Sequence, residues 1–242
     1  MVDSPQGGQF RVQIDERRIE WNPSEKSSPE LARVLLRGKV LGVLLSHSSS
    51  ILLHANVVAW KNQGVCLCGP IGQGKSTLTA SLLGGGFSLL SDDTAVIQEH
   101  GDSFIVQPGT PEIRLWPAAL RALGGRNDSG EPLYRETRKR RLILHSDSPW
   151  QFSRRSVPLR GLYFLHRSRK GKLRAEELRG KEALLEVLRN IYIPVIPNPE
   201  VSARQFETAE RLIHGIPIKR LHFPSGLCHL PRLRKAILED LR

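Results

Sequence analysis

Residues 68–77 read CGPIGQGKST, and Gly69, Gly74, Lys75 and Ser76 fall on the pattern G-x-x-x-x-G-K-[ST]. That pattern builds a loop between a strand and a helix, with backbone N–H groups that cradle phosphate oxygens. Gly69, Gly72 and Gly74 permit the positive φ angles such a loop needs and bring the backbone close to a phosphate. Lys75 supplies a point charge between the β- and γ-phosphates, Ser76 offers its hydroxyl to Mg²⁺, and Thr77 stands near the α-phosphate. Pro70, Ile71 and Gln73 complete the ATP-binding stretch. At average residue frequencies a chain this long matches the pattern by chance about 1% of the time. The flanks agree with it. VCLC at 65–68 is a buried-strand run, and KSTLTASLL at 75–83 gives a helix stopped by Gly84-Gly85-Gly86.

Outward from the loop, residues 51–60 (ILLHANVVAW) read as one strand that turns through Lys61-Asn62-Gln63-Gly64 into the strand feeding the loop. Phe87 to Leu90 is the next strand and ends at Ser91-Asp92-Asp93. Residues 94–99 and 103–107 pair as a hairpin, 108–117 read as loop, 118–123 as a short helix and 124–130 as a flexible loop. Two further strands follow at 138–144 and 159–166. The last third is mostly helical, over 181–190, 201–214 and 231–241, interrupted by IYIPVIPNPE and a strand at 217–223. At the other end, residues 10–21 alternate as a half-buried strand, and 30–47 form a helix or an apolar strand run. The expected fold is therefore α/β, a central mixed sheet carrying the loop, with a helical C-terminal part. We expect one domain over 1–242: an N-terminal strand-and-helix extension (1–50), a nucleotide-binding core (51–170) and the helical part (171–242).

Composition narrows the class. The 242 residues, 39% hydrophobic and 25% charged, suffice for an ordinary core. A net charge of +12 favours anionic partners of any kind. Nucleic acid is disfavoured, because aromatics are only 6% and no base-stacking consensus is present. Cys66 and Cys68 sit two apart in an apolar run and read as buried, reduced core residues; Cys228 stands alone. No signal-type or membrane-length apolar segment is found, so the chain reads as cytoplasmic.

The carboxylates Asp92 and Asp93 end a strand that begins 11 residues after Ser76. An acidic residue at such a strand end meets the metal in phosphate-loop enzymes. Adjacent side chains of an extended segment point apart, so one carboxylate can face Mg²⁺ while the other reaches the attacking group. The plain alternative is a turn capped by Asp. His54 alone reads as a core histidine; beside a phosphate site its imidazole can hold or tune a carboxylate base.

The order Leu53-His54-Ala55, GPIGQGKST, then FSLLSDD resembles HPr kinase/phosphorylase, whose fold is shared with phosphoenolpyruvate carboxykinase. His54 precedes Gly69 by 15 residues and Asp92 follows Ser76 by 16, as in that family. The resemblance implies an ATP-dependent kinase acting on a serine hydroxyl of a peptide or small protein. In it Asp92 is the base, His54 holds or polarises Asp92, Lys75 stabilises the transferring group, and Ser76 with Asp93 binds Mg²⁺. It also implies a homo-oligomer. Where the family carries a catalytic Arg in a Gly-Arg-Asn stretch, this chain runs IPVIPNP at 193–199; Arg204 or another cation substitutes, or the phosphorolytic back-reaction is absent. The short N-terminus is similar to kinases that phosphorylate the C-terminal Ser of a lasso-peptide precursor. Arg114, Arg138, Lys139 and Arg140 are candidate contacts to substrate or phosphate. A small-molecule kinase, a P-loop regulatory ATPase and a kinase acting on HPr remain as alternatives.

Overall fold

In a computed structural model, the structure describes residues 1–48, 50–123, 130–168, 171–192 and 198–241. Strands β1 (Val2–Ser4) and β2 (Gly8–Gln13) pair antiparallel, and β2 turns through residues 14–17 into β3 (Arg18–Asn22). The alternation of residues 10–21 thus covers two arms of a hairpin rather than one strand. Phe10 lies opposite Trp21 and Val12 opposite Ile19, so the same period-two pattern keeps both arms' apolar residues on one face. Residues 30–47 are helical: α1 (Pro29–Leu35), a π-turn over Leu36–Val40, and α2 (Leu41–Ser46). Ser28 caps α1 by accepting from the Leu31 N–H at 3.3 Å, with Pro29 opening the helix. Phe10, Ala32, Val40 and Val43 form a small core between these layers.

The central part runs β4 (Ser50–Leu53), β5 (Ala55–Trp60), β6 (Gln63–Cys68), α3 (Lys75–Leu83), β7 (Ser88–Ser91), β8 (Ala95–His100) and β9 (Ser103–Val106). It continues with β10 (Glu112–Leu115), α4 (Pro117–Ala122), β11 (Glu131–Pro132), β12 (Arg140–Ile143), β13 (Gln151–Phe152) and β14 (Val157–Ser168). Then come β15 (Arg174–Leu178), α5 (Gly180–Arg189), α6 (Pro199–Gly215), β16 (Ile218–Pro224) and α7 (Leu230–Asp240).

Positive φ at Lys61 (47°) and Asn62 (61°) makes the tight turn that folds β5 onto β6, with Trp60 opposite Gln63. The expected strand 51–60 is broken at His54. Its N–H donates to the Asn190 carbonyl at 2.7 Å instead of a neighbouring strand, and β4 leaves to pair with β8 while β5 pairs with β6 and β7. Residues 112–115, expected as loop, pair with β12 in a small sheet of their own, and β15 was not foreseen in the helical last third. Residues 124–129 and 193–197, the expected flexible loop and most of the segment aligned with the missing catalytic Arg, lie outside the described residues.

Strand directions decide where chemistry can occur. β5 is antiparallel to both β6 and β7, while β6, β14 and β16 are mutually parallel. The carboxyl ends of β6, β7, β14 and β16, and the amino end of β5, therefore share one edge of a mixed sheet. In open α/β sheets that is the edge where ligands bind. One face is covered by α5 and α6 over Ile51, Val57, Cys66, Cys68 and Leu162. The other is covered by α3 and α7 over Val58, Leu67, Leu165 and Phe223. Both strand cysteines are buried and free, on one face as expected. No helix among the described residues is long and apolar enough to cross a membrane.

Candidate active site

The loop joining β6 to α3 carries the backbone its glycines allow: φ is +135° at Gly69, +89° at Gly72 and +97° at Gly74. A Cβ at Gly69 would lie 3.2 Å from the Leu165 carbonyl oxygen, so that glycine also serves close packing on β14. Around Gly72 and Gly74 a Cβ would meet nothing; those two face an open cradle. Pro70 and Ile71 form its exposed tip, while the Gln73 side chain accepts from the Arg167 N–H at 2.9 Å and ties the cradle to the end of β14. Ser76 and Thr77, half-buried, begin α3.

Lys75 is buried and turns back under the loop. Its Nζ donates to the Gly69 carbonyl at 2.6 Å and meets His54 Nε2 at 3.0 Å. His54 Nδ1 lies 3.0 Å from the Asp93 carbonyl oxygen, which can only accept. The ring therefore carries its proton on Nδ1 and accepts from Lys75 through Nε2. Burial lowers the His54 pKa, Asp93 opposes this and Lys75 lowers it further, so the imidazole is neutral. Burial likewise lowers the Lys75 pKa, against the pull of Asp93.

Asp92 and Asp93 lie in the turn after β7 rather than in an extended segment, and the structure gives them unlike surroundings. Asp92 Oδ1 accepts from Asn56 Nδ2 at 2.6 Å and Oδ2 from the Arg114 N–H at 3.0 Å. Burial, then the neighbouring Asp93, pushes its pKa from 3.8 up to about 7; Arg114 offsets this only in part. Asp93 takes the left-handed conformation (φ +76°) and keeps a side chain 40% exposed. It lies 3.4 Å from His54 Nδ1 and 3.5 Å from Arg114 Nη1. His54 thus touches Asp93, not Asp92, which corrects the expected pairing. The bend at His54 aims the ring across the edge at the Asp93 backbone.

Of the four cations named from sequence, Arg114 is in the site. Its guanidinium bridges Asp93 and the buried Glu112, and its buried Nε has no hydrogen-bond partner among the described residues. Lys139 lies near enough to lower the pKa of His54, Lys75 and Asp92, and its ammonium sits 5.6 Å from the Trp116 ring centre. Arg140 donates to the Gly130 carbonyl at 2.5 Å from within β12, and Arg138 is exposed beside it.

Sequence reasoning passed over several residues that assemble the site. Asn56, 1% exposed, also donates to Thr79 Oγ1 at 3.1 Å and accepts from the Asp93 N–H at 3.2 Å, so one amide joins α3, β5 and the carboxylate turn. It lies two residues after His54 on an extended segment, a spacing that could have flagged it. Asn190, ending α5, accepts from the Gly69 N–H at 3.0 Å. Tyr192 follows, its pKa raised to about 12 by burial and then by Asp93. Its ring rests on Gly38 and Gly42, one helical turn apart. Nothing in the sequence around Asn190 or Tyr192 announced a role.

The donors fit a magnesium–nucleotide complex. Among the described residues no cluster of three His, Cys, Asp or Glu could hold a metal alone, but Mg²⁺ characteristically takes one or two protein oxygens and completes its shell with phosphates and water. Ser76, at the start of α3, and Asp93, after β7, are oxygen donors with accessible surface that would supply such a pair.

No protein-family profile matches the sequence, and none of the curated proteins searched matches it. Among solved structures the chain is similar to the Hpr(Ser) kinase/phosphatase from Coxiella burnetii, with a TM-score of 0.40 and 14% identity, covering 79% of this chain and 99% of that one.

Proposed function

We propose that this protein is an ATP-dependent kinase that transfers the γ-phosphoryl group to a serine hydroxyl of a peptide or small protein. The observation that carries the reading is the meeting, at one sheet edge, of a phosphate-type loop, its buried Lys75 and two carboxylates held apart in different environments. Bound MgATP supplies the phosphoryl group and the divalent charge, with Ser76 and Asp93 as its protein oxygens. Lys75, fixed by Gly69 and His54, places its ammonium at the cradle. Asp92 accepts the proton of the attacking hydroxyl, and a pKa near neutrality suits that task. Each of its oxygens keeps a second lone-pair direction beside the Asn56 or Arg114 bond. Neutral His54 orients Lys75 and the Asp93 turn. Arg114 and Lys139 add positive charge where the transferring group and an anionic acceptor meet.

The acceptor proposed first is the C-terminal Ser of a lasso-peptide precursor, with the basic run 135–141 gripping the peptide's terminal carboxylate; HPr is the competing acceptor. Intact masses of both substrates after incubation with MgATP test this. One added phosphoryl group on the peptide's terminal Ser, absent with Lys75→Ala and Asp93→Ala enzymes, is the expected result. Modified HPr would reassign the acceptor, and full activity in either variant would overturn the site.

A further inference from the structure

The carboxyl edge that carries the loop continues past it to a recess of about 540 Å³ at the end of β16. Its apolar walls are Leu173, Phe223, Pro224 and Leu233, and its rim carries Lys172 and Arg232 with His229. The volume falls in the range of small-molecule sites, and apolar walls with a few polar groups are their usual lining.

The recess is joined to the cradle by a short chain of contacts. Gln73 of the loop holds the Arg167 N–H. Arg167 pairs across the parallel ladder with Phe223, on the α3–α7 face that Leu165 also occupies. The Ser225 N–H then donates to the Ser168 carbonyl at 2.8 Å and ties the chain leaving β16 to the end of β14. Laterally, β6 and β16 stand two strands apart with β14 between them, which is about 10 Å. That separation is comparable with the reach from a nucleotide's terminal phosphates to its base. Lys172 and Arg232 bring positive charge to the recess, and its apolar walls suit the flat face of a purine.

We propose that this recess receives the nucleoside of the nucleotide whose phosphates occupy the loop, the base lying against Leu173 and Phe223. The inference rests on the loop holding a triphosphate, and the test separates the two claims. ATP and inorganic tripolyphosphate, each with Mg²⁺, are titrated calorimetrically into wild type, Leu173→Glu and His229→Ala. Tripolyphosphate reports the loop alone; ATP reports loop and recess.

Wild type is expected to bind ATP more tightly than tripolyphosphate. Leu173→Glu should weaken ATP by about tenfold, the loss expected for on the order of 60 Å² of apolar contact, and leave tripolyphosphate unchanged. His229→Ala should act in the same direction more weakly. A Leu173→Glu protein that loses both ligands has lost its fold, and the rim variants His229→Ala and Arg232→Ala then carry the comparison. Variants that bind both ligands as wild type does overturn the recess assignment alone. Wild type that binds neither overturns the loop reading and this inference with it.

Discussion

Replacing Asn56 by Ala removes a side chain that bonds α3, β5 and the carboxylate turn together. Three hydrogen bonds go: to Thr79 Oγ1, to Asp92 Oδ1 and from the Asp93 N–H. Neutral bonds of this kind contribute about 1 kcal/mol each and one to a carboxylate about 2, giving about 4 kcal/mol before relaxation. Two of the partners keep other bonds, since Thr79 still donates to the Lys75 carbonyl and Asp92 still accepts from the Arg114 N–H. The Asp93 N–H loses its one side-chain acceptor among the described residues. A net loss of about 3 kcal/mol follows. Urea denaturation at pH 7.5 in EDTA, with Asn56→Asp as comparison, measures it. The Asp variant keeps the shape but sets a second carboxylate against Asp92, and should be worse than Ala. A loss below about 1 kcal/mol, or an Asp variant as stable as the Ala one, would refute the picture of a satisfied amide at the junction.

Asp92, with its pKa raised to about 7, holds a proton in the folded chain that the unfolded chain has released above about pH 4. The folded state binds more protons in that window, so its stability falls as pH rises through it and levels above 7. Between pH 5 and 8, metal-free wild type should lose about 3 kcal/mol relative to Asp92→Asn, a comparison that cancels the opposite contribution of His54. Parallel curves would mean that Asp92 is ionised throughout. Gly42→Val drives a side chain into the Tyr192 ring, which a Cβ already approaches to 3.0 Å. Denaturation midpoints should reveal a cost of about 1–3 kcal/mol, absent in Lys39→Ala on the exposed side of the same helical segment.

The loop was legible because its chemistry is local: glycines for the turn, a lysine and a hydroxyl at fixed offsets. The same holds for the Lys61–Asn62 hairpin, and for Asp92 and Asp93 at a strand end, since each depends on neighbours in sequence. What failed was the reading of an unbroken strand-like stretch as one continuous strand. Residues 10–21 contain a hairpin turn and 51–60 a bend, and only the partners of the backbone N–H groups, such as Asn190 for His54, show where the strand stops. Long-range partners were illegible for the same reason. Glu112 gathers Arg37, Arg114 and Arg141 from three elements, and nothing in a stretch read as loop marks a buried carboxylate. His54 was rightly placed beside the phosphate loop, yet matched to the wrong aspartate, because Asp93 leaves the extended conformation for the left-handed one (φ +76°) and sets its own carbonyl and carboxylate against the ring.

The most direct test of the central claim follows the fate of the γ-phosphate. Wild type and Asp92→Asn are incubated with γ-labelled MgATP and a peptide ending in Ser, and label is counted in peptide and in inorganic phosphate. Label is expected on the peptide's serine with wild type, and transfer reduced by about a hundredfold or more in the variant, the range for loss of a general base. Label released only as inorganic phosphate, at equal rates from both proteins, would contradict it.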